Sequence, residues 1–310
     1  MTNFRKVVFS YSAVDLTISV FLIFLSLIDI IYSVLIPHFL EILIYNAVII
    51  AFIYWLNLKR MSSNANIFNV LEYLYLPVMI FFVFKELYFM VDPINGVIYD
   101  WYLINVDQFL FGVNPTYVLY KIANPVLTEI LQLAYSSYYF LPIILAYELI
   151  KRGEVKNAEF TLFLVFYGFF LSYLGYLTIP AIGPRFTLHN FKMLDKELPG
   201  IFVSEFIRNH IINPGEGVTL ATRFPMLVVQ RDAFPSGHTE ITLIVMYASI
   251  LFKAKSRFFI ILVGILLIFA TIYLRYHYVI DLIAGSLFMI YTIWSGKILF
   301  DTWEEQKRKA

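Results

Sequence analysis

"RFFIILVGILLIFATIYLRYHYVIDLIAGSLFMIYTIW", Arg257 to Trp294, decides the fold. It reads as two apolar runs, 257–274 and 279–299 once the second is followed to its end. Each approaches the about 20 residues that a helix rising about 1.5 Å per residue needs to cross a bilayer. Between them "LRYHYVID" (274–281) places an arginine, a histidine and an aspartate, side chains that are costly in hydrocarbon. The simplest reading is two membrane helices joined by a polar turn.

The rest of the chain repeats the apolar theme. Of 310 residues 60% are hydrophobic, 19% aromatic and 15% charged, with 31 Phe and 23 Tyr; the mean hydropathy is +0.76. Soluble domains are about 45–50% apolar and about 25% charged, so the expected class is an all-α, polytopic integral membrane protein. Six further segments qualify as spans: 16–36, 39–57, 70–91, 126–148, 159–180 and 237–254. That makes about eight. The N-terminal "MTNFRKVVFSYSAVDLT" lacks a small-residue cleavage site and reads as the approach to an uncleaved first span. A net charge of +1 gives no case for nucleic-acid binding, and the absence of cysteine excludes disulfides and thiolate chemistry.

Two connections are long, 92–125 and 181–236. The first is rich in Tyr, Phe and Trp101 and suits an amphipathic segment at the membrane interface. A division follows into an N-terminal part, 1–125, and a helical core, 126–310. Basic residues fall on every second connection: Arg5 and Lys6, Lys59 and Arg60, "KRGEVK" (151–156), "KAKSR" (253–257) and "KRK" (307–309). The turn Pro37–Glu41 has none, and 92–125 has Lys121 alone. Eight spans with both termini in the cytoplasm produce this alternation. The protein is then expected in the cell membrane. "IPAIGPRF" (179–186), "RDAFPSGHTE" (231–240) and "LRYHYVID" share the non-cytoplasmic face.

These three segments carry the candidate chemistry. His277 and Asp281 are four apart, on one helical face. The carboxylate can hold one imidazole N–H and leave the other nitrogen as a nucleophile; the bland alternative is a structural His–Asp pair at a helix start. Pro235 and Ser236 open a helix, with Ser236 as N-cap. Free N–H groups in that first turn, beside Gly237, make an anion site. His238 in the turn can protonate a leaving oxygen, or it is an interfacial histidine at an ordinary helix start. Arg185 and Arg275 are fixed positive charges suited to phosphate, though either alone reads as an interfacial arginine. Together the groups meet the needs of phosphoryl transfer, which asks for positioning and charge neutralisation, with no metal and no cofactor.

"PSGH" followed by "HYVID" resembles the type 2 phosphatidic acid phosphatase (PAP2) superfamily, which shares its site with vanadium haloperoxidases. The resemblance covers about 180–285. It implies that His277 is the nucleophile forming a phosphohistidine, Asp281 its orienting partner and His238 the general acid, later the base. It also implies that Arg185, Ser236 and Gly237 bind phosphate. Three departures stand out: Thr178 occupies the position of the first motif's Lys, that motif's Pro precedes Arg185 rather than following it, and Ala270 and Thr271 occupy the position of the third motif's Ser-Arg. Arg275 and Arg231 are candidate substitutes. "SGHT" with "HYVID" and no Ser-Arg is similar to the inositolphosphotransferase and inositol phosphorylceramide synthase branch, which implies a headgroup transferase rather than a phosphatase. The expected substrate is a lipid phosphate in the bilayer.

Other polar residues say less. Glu240, two after His238, is a candidate neighbour steadying the site. Asp29, Lys85, Glu86 and Glu129 lie in or near apolar runs, and Lys85 can simply snorkel at a helix end. His38, His189 and His210 read as interfacial or loop residues. "AYSSYYFLP" (134–142) could line a cavity but reads better as Tyr-rich packing. A transporter or scaffold is the rival class; it explains the spans and buried charges but not the gathering of His238, His277, Asp281 and two arginines on one face.

Overall fold

The computed structural model describes residues 7–62 and 67–309. Arg5, Lys6 and Ala310, which belong to the expected flanking charges and termini, lie outside them. All regular elements among the described residues are helical. The longer ones are α1 (Ala13–Ile31), α2 (Phe39–Ser62), α3 (Ile67–Ile94), α4 (Asp100–Phe111), α5 (Pro125–Ser136), α6 (Phe140–Lys151), α7 (Val155–Thr178), α8 (Gly237–Leu251), α9 (Arg257–Tyr273) and α10 (Val279–Lys309).

Each of the eight expected spans coincides with a helix or, for 126–148, with the pair α5 and α6, bent by 53° at a short break. Fewer of them reach full spanning length and apolarity than the about eight expected. Among the described residues, α1, α2, α7 and α10 are long and apolar enough to cross alone, and the bent pair makes a fifth. α8 and α9, at 15 and 17 residues, fall short of the about 20 required. The reason is local: residues up to Ser236 are committed to the polar segment ahead of α8, and Leu274 to Tyr278 to the turn after α9.

α8 forms the centre, packed on α7, α9 and α10. Gly285 of α10 permits that approach, because a Cβ there would come within 2.5 Å of the Ser236 carbonyl oxygen. Apolar side chains cover the outside, among them Val34, Ile31 and Phe258, as lipid contact requires.

Contacts sort the connections into two ends. At one, Trp303 Nε1 donates to Tyr11 O (3.4 Å), Lys156 pairs with Glu304 (2.6 Å), Arg60 with Asp15 (2.9 Å), and Arg152 donates to Lys253 O (3.3 Å). The described basic clusters therefore lie together. At the other end, Ala233 N donates to Ala181 O (3.0 Å) and Arg185 N to Arg275 O (3.0 Å), bringing the three polar segments together.

The interfacial helix expected in 92–125 is α4. Trp101 and Phe109 point outward while Asp100, Leu103 and Asp107 are buried. Asp107 accepts Val279 N and Ile280 N, both at 2.8 Å, and so caps the first turn of α10 from outside. Asp100 accepts Ile182 N (2.9 Å), Gly183 N (2.8 Å) and the Tyr278 hydroxyl (2.7 Å). Burial pushes both carboxyls above the usual carboxylate range, and the N–H donors pull them back. These bonds hold the backbone on which Arg185 and His277 are mounted. Replacing Asp107 by Ala leaves two N–H groups unpaired and should cost about 2 kcal/mol or more, read as a lower melting temperature of the detergent-solubilised protein. Glu41→Gln, which breaks only an exposed contact with His38, should leave the melt unchanged.

Candidate active site

The turn into α10 starts as a helix C-terminus. Tyr276 N donates to Thr271 O (2.9 Å) and Arg275 N to Ile272 O (3.0 Å), with Arg275 left-handed at φ 67°. This is the pattern that usually recruits glycine just past a helix end. It projects His277 back toward the start of α8. His277 Nδ1 lies 2.8 Å from Ala233 O and 3.4 Å from Asp281 Oδ2. A carbonyl only accepts, so Nδ1 carries the proton and Nε2 keeps its lone pair. Nε2 faces His238 Nδ1 at 3.5 Å. Burial drives the His277 pKa down to about 4, against the opposing influence of Asp232 and the Ala233 bond; the ring is neutral at pH 7.

Asp281 is completely buried. Its Oδ2 also accepts Tyr278 N (2.8 Å), reaching back across the first turn of α10 as a capping residue does. The shorter orienting contact on His277 is thus the Ala233 carbonyl, with the Asp281 carboxylate close behind. Ser236 is the N-cap of α8: its Oγ accepts Thr239 N (3.2 Å) and the Thr239 hydroxyl (3.0 Å). Gly237 has no room for a side chain, since a Cβ would meet the Tyr176 hydroxyl at 2.5 Å.

His238 is held between two rings, Tyr135 (centroids 4.6 Å apart) and Tyr138 (4.2 Å). Tyr135 stacks on Tyr276 (4.4 Å), and the Arg185 guanidinium lies 4.6 Å from the Tyr276 ring centroid. Arg185 is buried, pairs with Glu216 and donates to Asn213 Oδ1 (3.2 Å).

One cavity of about 170 Å³ collects these groups. Its wall includes Arg185, His238, His277, Lys85, Asp232 and Glu216 among Tyr135, Tyr138, Tyr139 and Tyr276. Of the five histidines only His238 and His277 line it. Ser236, Gly237 and Asp281 lie directly behind, in contact with the lining residues or their neighbours. The remaining candidates point elsewhere. Arg275 pairs with Glu197 and lies over Tyr120. Arg231 pairs with Asp92 (2.5 Å). Glu240 joins Ser172 of α7 and Thr292 of α10 (2.7 Å to Thr292). None of the three lines the cavity. Among the described residues no cluster of His, Asp or Glu could hold a metal ion.

Four residue groups emerge that sequence reading missed. The tyrosines of "AYSSYYFLP", read as packing, form the cradle of His238. Lys85, read as snorkelling, projects from α3 into the cavity wall, where Nζ donates to Gly215 O. The charge alternation, which puts the end of the third span on the site's face, was the available signal for it. Asp232 and Glu216 sit in a connection with no helical periodicity to mark which way they face.

A PA-phosphatase related-family protein of Dictyostelium discoideum is similar to the chain, 27% identical over 187 residues, covering 54% of this chain and 32% of that relative. The chain thus matches about a third of the relative's length. No solved structure matches. The profile of the PAP2 superfamily matches residues 101–295, well over half of the chain and all of the segments that build the cavity except Lys85 and its neighbours on α3, and the chain belongs to that superfamily.

Proposed function

We propose that the protein transfers a phosphoryl group from a lipid phosphate ester by way of a phosphohistidine at His277. The observation that carries this reading is the His277 ring itself. Its Nδ1–H is bound to Ala233 O, and its Nε2 lone pair faces His238 in a cavity that also holds Arg185. In the first step Nε2 attacks phosphorus, the bond to the leaving oxygen breaks, and His238 delivers a proton to that oxygen. Arg185 and Lys85 offset the charge on the phosphoryl oxygens. Binding phosphate requires Arg185 to exchange its pairing with Glu216 for the substrate. Asp281 and the Ala233 carbonyl stabilise the charge that the phosphorylated ring acquires. In the second step a hydroxyl oxygen attacks phosphorus while its proton passes to His238, and the phosphorus–nitrogen bond breaks with its electron pair returning to Nε2.

A lipid donor is favoured by what adjoins the cavity. An apolar groove of about 450 Å³ between α3, α6 and α7 shares Tyr138, Tyr139 and Phe169 with it and is otherwise lined by side chains such as Ile80, Pro142 and Phe166. A phosphate in the polar cavity can therefore leave its acyl chains in the groove. The acceptor is water for a phosphatase and an alcohol for a headgroup transferase of the inositol phosphorylceramide synthase type; the same His–His core serves both. Turnover of labelled phosphatidic acid, phosphatidylinositol and a polyprenyl diphosphate, with and without alcohols, sorts these products. His277→Ala and His238→Ala should each lower turnover by about 10³-fold or more, and Arg185→Lys should lower it by about 10-fold or more. Full activity in both histidine variants overturns the reading. Water-soluble esters of the same headgroups should be poorer substrates than the lipids.

Because burial lowers the His277 pKa to about 4, the neutral nucleophile persists below the ordinary imidazole value of about 6.5. It should be lost only as pH falls toward 4. A His277 ring titrating near 6.5, followed by ¹⁵N NMR of selectively labelled protein, contradicts that burial.

The gathering of the described basic clusters at one end supports, by the positive-inside rule, a topology with that end in the cytoplasm and the cavity at the non-cytoplasmic face. The chain has no cysteine, so single replacements report cleanly. In intact cells Phe202→Cys, at the cavity end, should react with a membrane-impermeant maleimide, and Lys255→Cys, at the basic end, should not. The reverse pattern inverts the topology.

A further inference from the structure

Asp232 lines the same cavity as His277, His238, Arg185 and Lys85, and the transfer chemistry above gives it no task. The other carboxylate there, Glu216, is paired with Arg185. No ion pair joins Asp232 to another described residue. The charged and titratable groups acting on it are His277, Arg185 and Lys85, and burial pushes its carboxyl up to about 6. Its position is fixed, because the next residue, Ala233, both donates to Ala181 O and holds the Nδ1–H of His277.

A carboxylate in a phosphate cavity repels the phosphoryl group that the cations attract. What complements it is a neutral donor, and a hydroxyl is the neutral donor that the second step brings in. The acceptor attacks opposite Nε2, where the leaving oxygen stood, so its reacting proton goes to the group that served that oxygen, His238. The hydrogen bond to Asp232 therefore uses a second hydroxyl hydrogen. Water has one, and so does an alcohol bearing another hydroxyl; a monohydric alcohol does not.

We propose that Asp232 binds the phosphoryl acceptor through a second hydroxyl hydrogen, making the site selective for water or polyhydric alcohols over monohydric ones. The proposal rests on the phosphohistidine reading. In the step concerned the acceptor oxygen–phosphorus bond forms and the phosphorus–Nε2 bond breaks. The attacking hydroxyl's proton passes to His238, while Asp232 keeps its hydrogen bond and changes no bond.

The two half-reactions separate this role from a structural one. Purified protein in detergent is labelled with ³²P-phosphatidic acid, and the acid-labile, alkali-stable label on His277 is chased with water alone, glycerol or 1-propanol. Phosphate release reports water as acceptor, and label on the added alcohol reports transfer. Wild-type protein should prefer glycerol to 1-propanol. Asp232→Ala should form the phosphoenzyme within about 3-fold of the wild-type rate, discharge it about 10- to 100-fold more slowly, and lose the preference for glycerol. Asp232→Asn, which keeps an oxygen acceptor, should recover part of the discharge rate.

Wild-type protein that takes up no label on His277 overturns the phosphohistidine reading and this assignment with it. Labelled wild-type protein beside an Asp232→Ala variant that discharges at the wild-type rate overturns the assignment alone, as does equal slowing of both half-reactions. If Asp232→Ala fails to elute as a folded species, the glycerol-to-propanol ratio of the isosteric Asp232→Asn decides: a ratio unchanged from wild type sinks the proposal, and a reduced one sustains it.

Discussion

The site depends on one hydrogen bond, from His277 Nδ1 to the carbonyl of Ala233 at 2.8 Å. It joins two segments more than forty residues apart in sequence. It also forces the imidazole tautomer, since a carbonyl oxygen can only accept. The same residue's N–H reaches Ala181 O, and Ser236 N reaches Asp281 O. The three polar segments are therefore laced together through main-chain groups, which tolerate side-chain change. This geometry needs only a histidine at 277 and an irregular stretch of backbone at 233 to meet it.

That irregular backbone is demanding in a membrane protein, where unpaired N–H groups lack water as a partner. Buried carboxylates answer the demand. Asp107 caps α10, Asp100 holds the 182–183 backbone, and Glu129 of α5 accepts the N–H groups of residues 201 to 204 at 2.7–3.3 Å. Glu148 does the same for Lys255 and Ser256 at the opposite end. Charges of this kind inside an apolar chain invite a transport reading. The partners of these four are mainly fixed main-chain donors at helix starts and in loops, so these carboxylates mark bends in the fold. Asp281 belongs to both groups, serving Tyr278 N and His277 together.

Helix positions were legible because apolar runs of this length have few alternatives, and the grouping of connections was legible because lysine and arginine report on it. Span count was less so. Composition does not reveal that α8 yields its first residues to the polar segment before it. Of the residues singled out by short spacing, His238 and His277 line the cavity and Asp281 contacts His277 from behind. Ser236 was found as an N-cap. The arginines divided: Arg185 reaches the cavity, whereas Arg275 serves the turn after α9 and Glu197. No local pattern separates two such cases, because a left-handed residue just past a helix end is usually glycine and nothing in "YLRYHY" marks Arg275 as the exception. Lys85, Asp232 and Glu216 were missed because their orientation is set by contacts between distant segments, which periodicity does not encode.

The aromatic stack gives the tyrosines around the cavity a task. Arg185, Tyr276, Tyr135, His238 and Tyr138 form one column, with neighbours 4.2–4.6 Å apart. Rings in contact permit little change in spacing, so the column sets the separation between the Arg185 guanidinium and the His238 imidazole. A guanidinium over a ring face is also stabilised by the ring's quadrupole, which offsets part of the cost of burying Arg185. The ring faces hold Arg185 and His238 from above and below, so that the Arg185 edge meets Glu216 and Asn213 and His238 Nδ1 stays turned toward His277 Nε2.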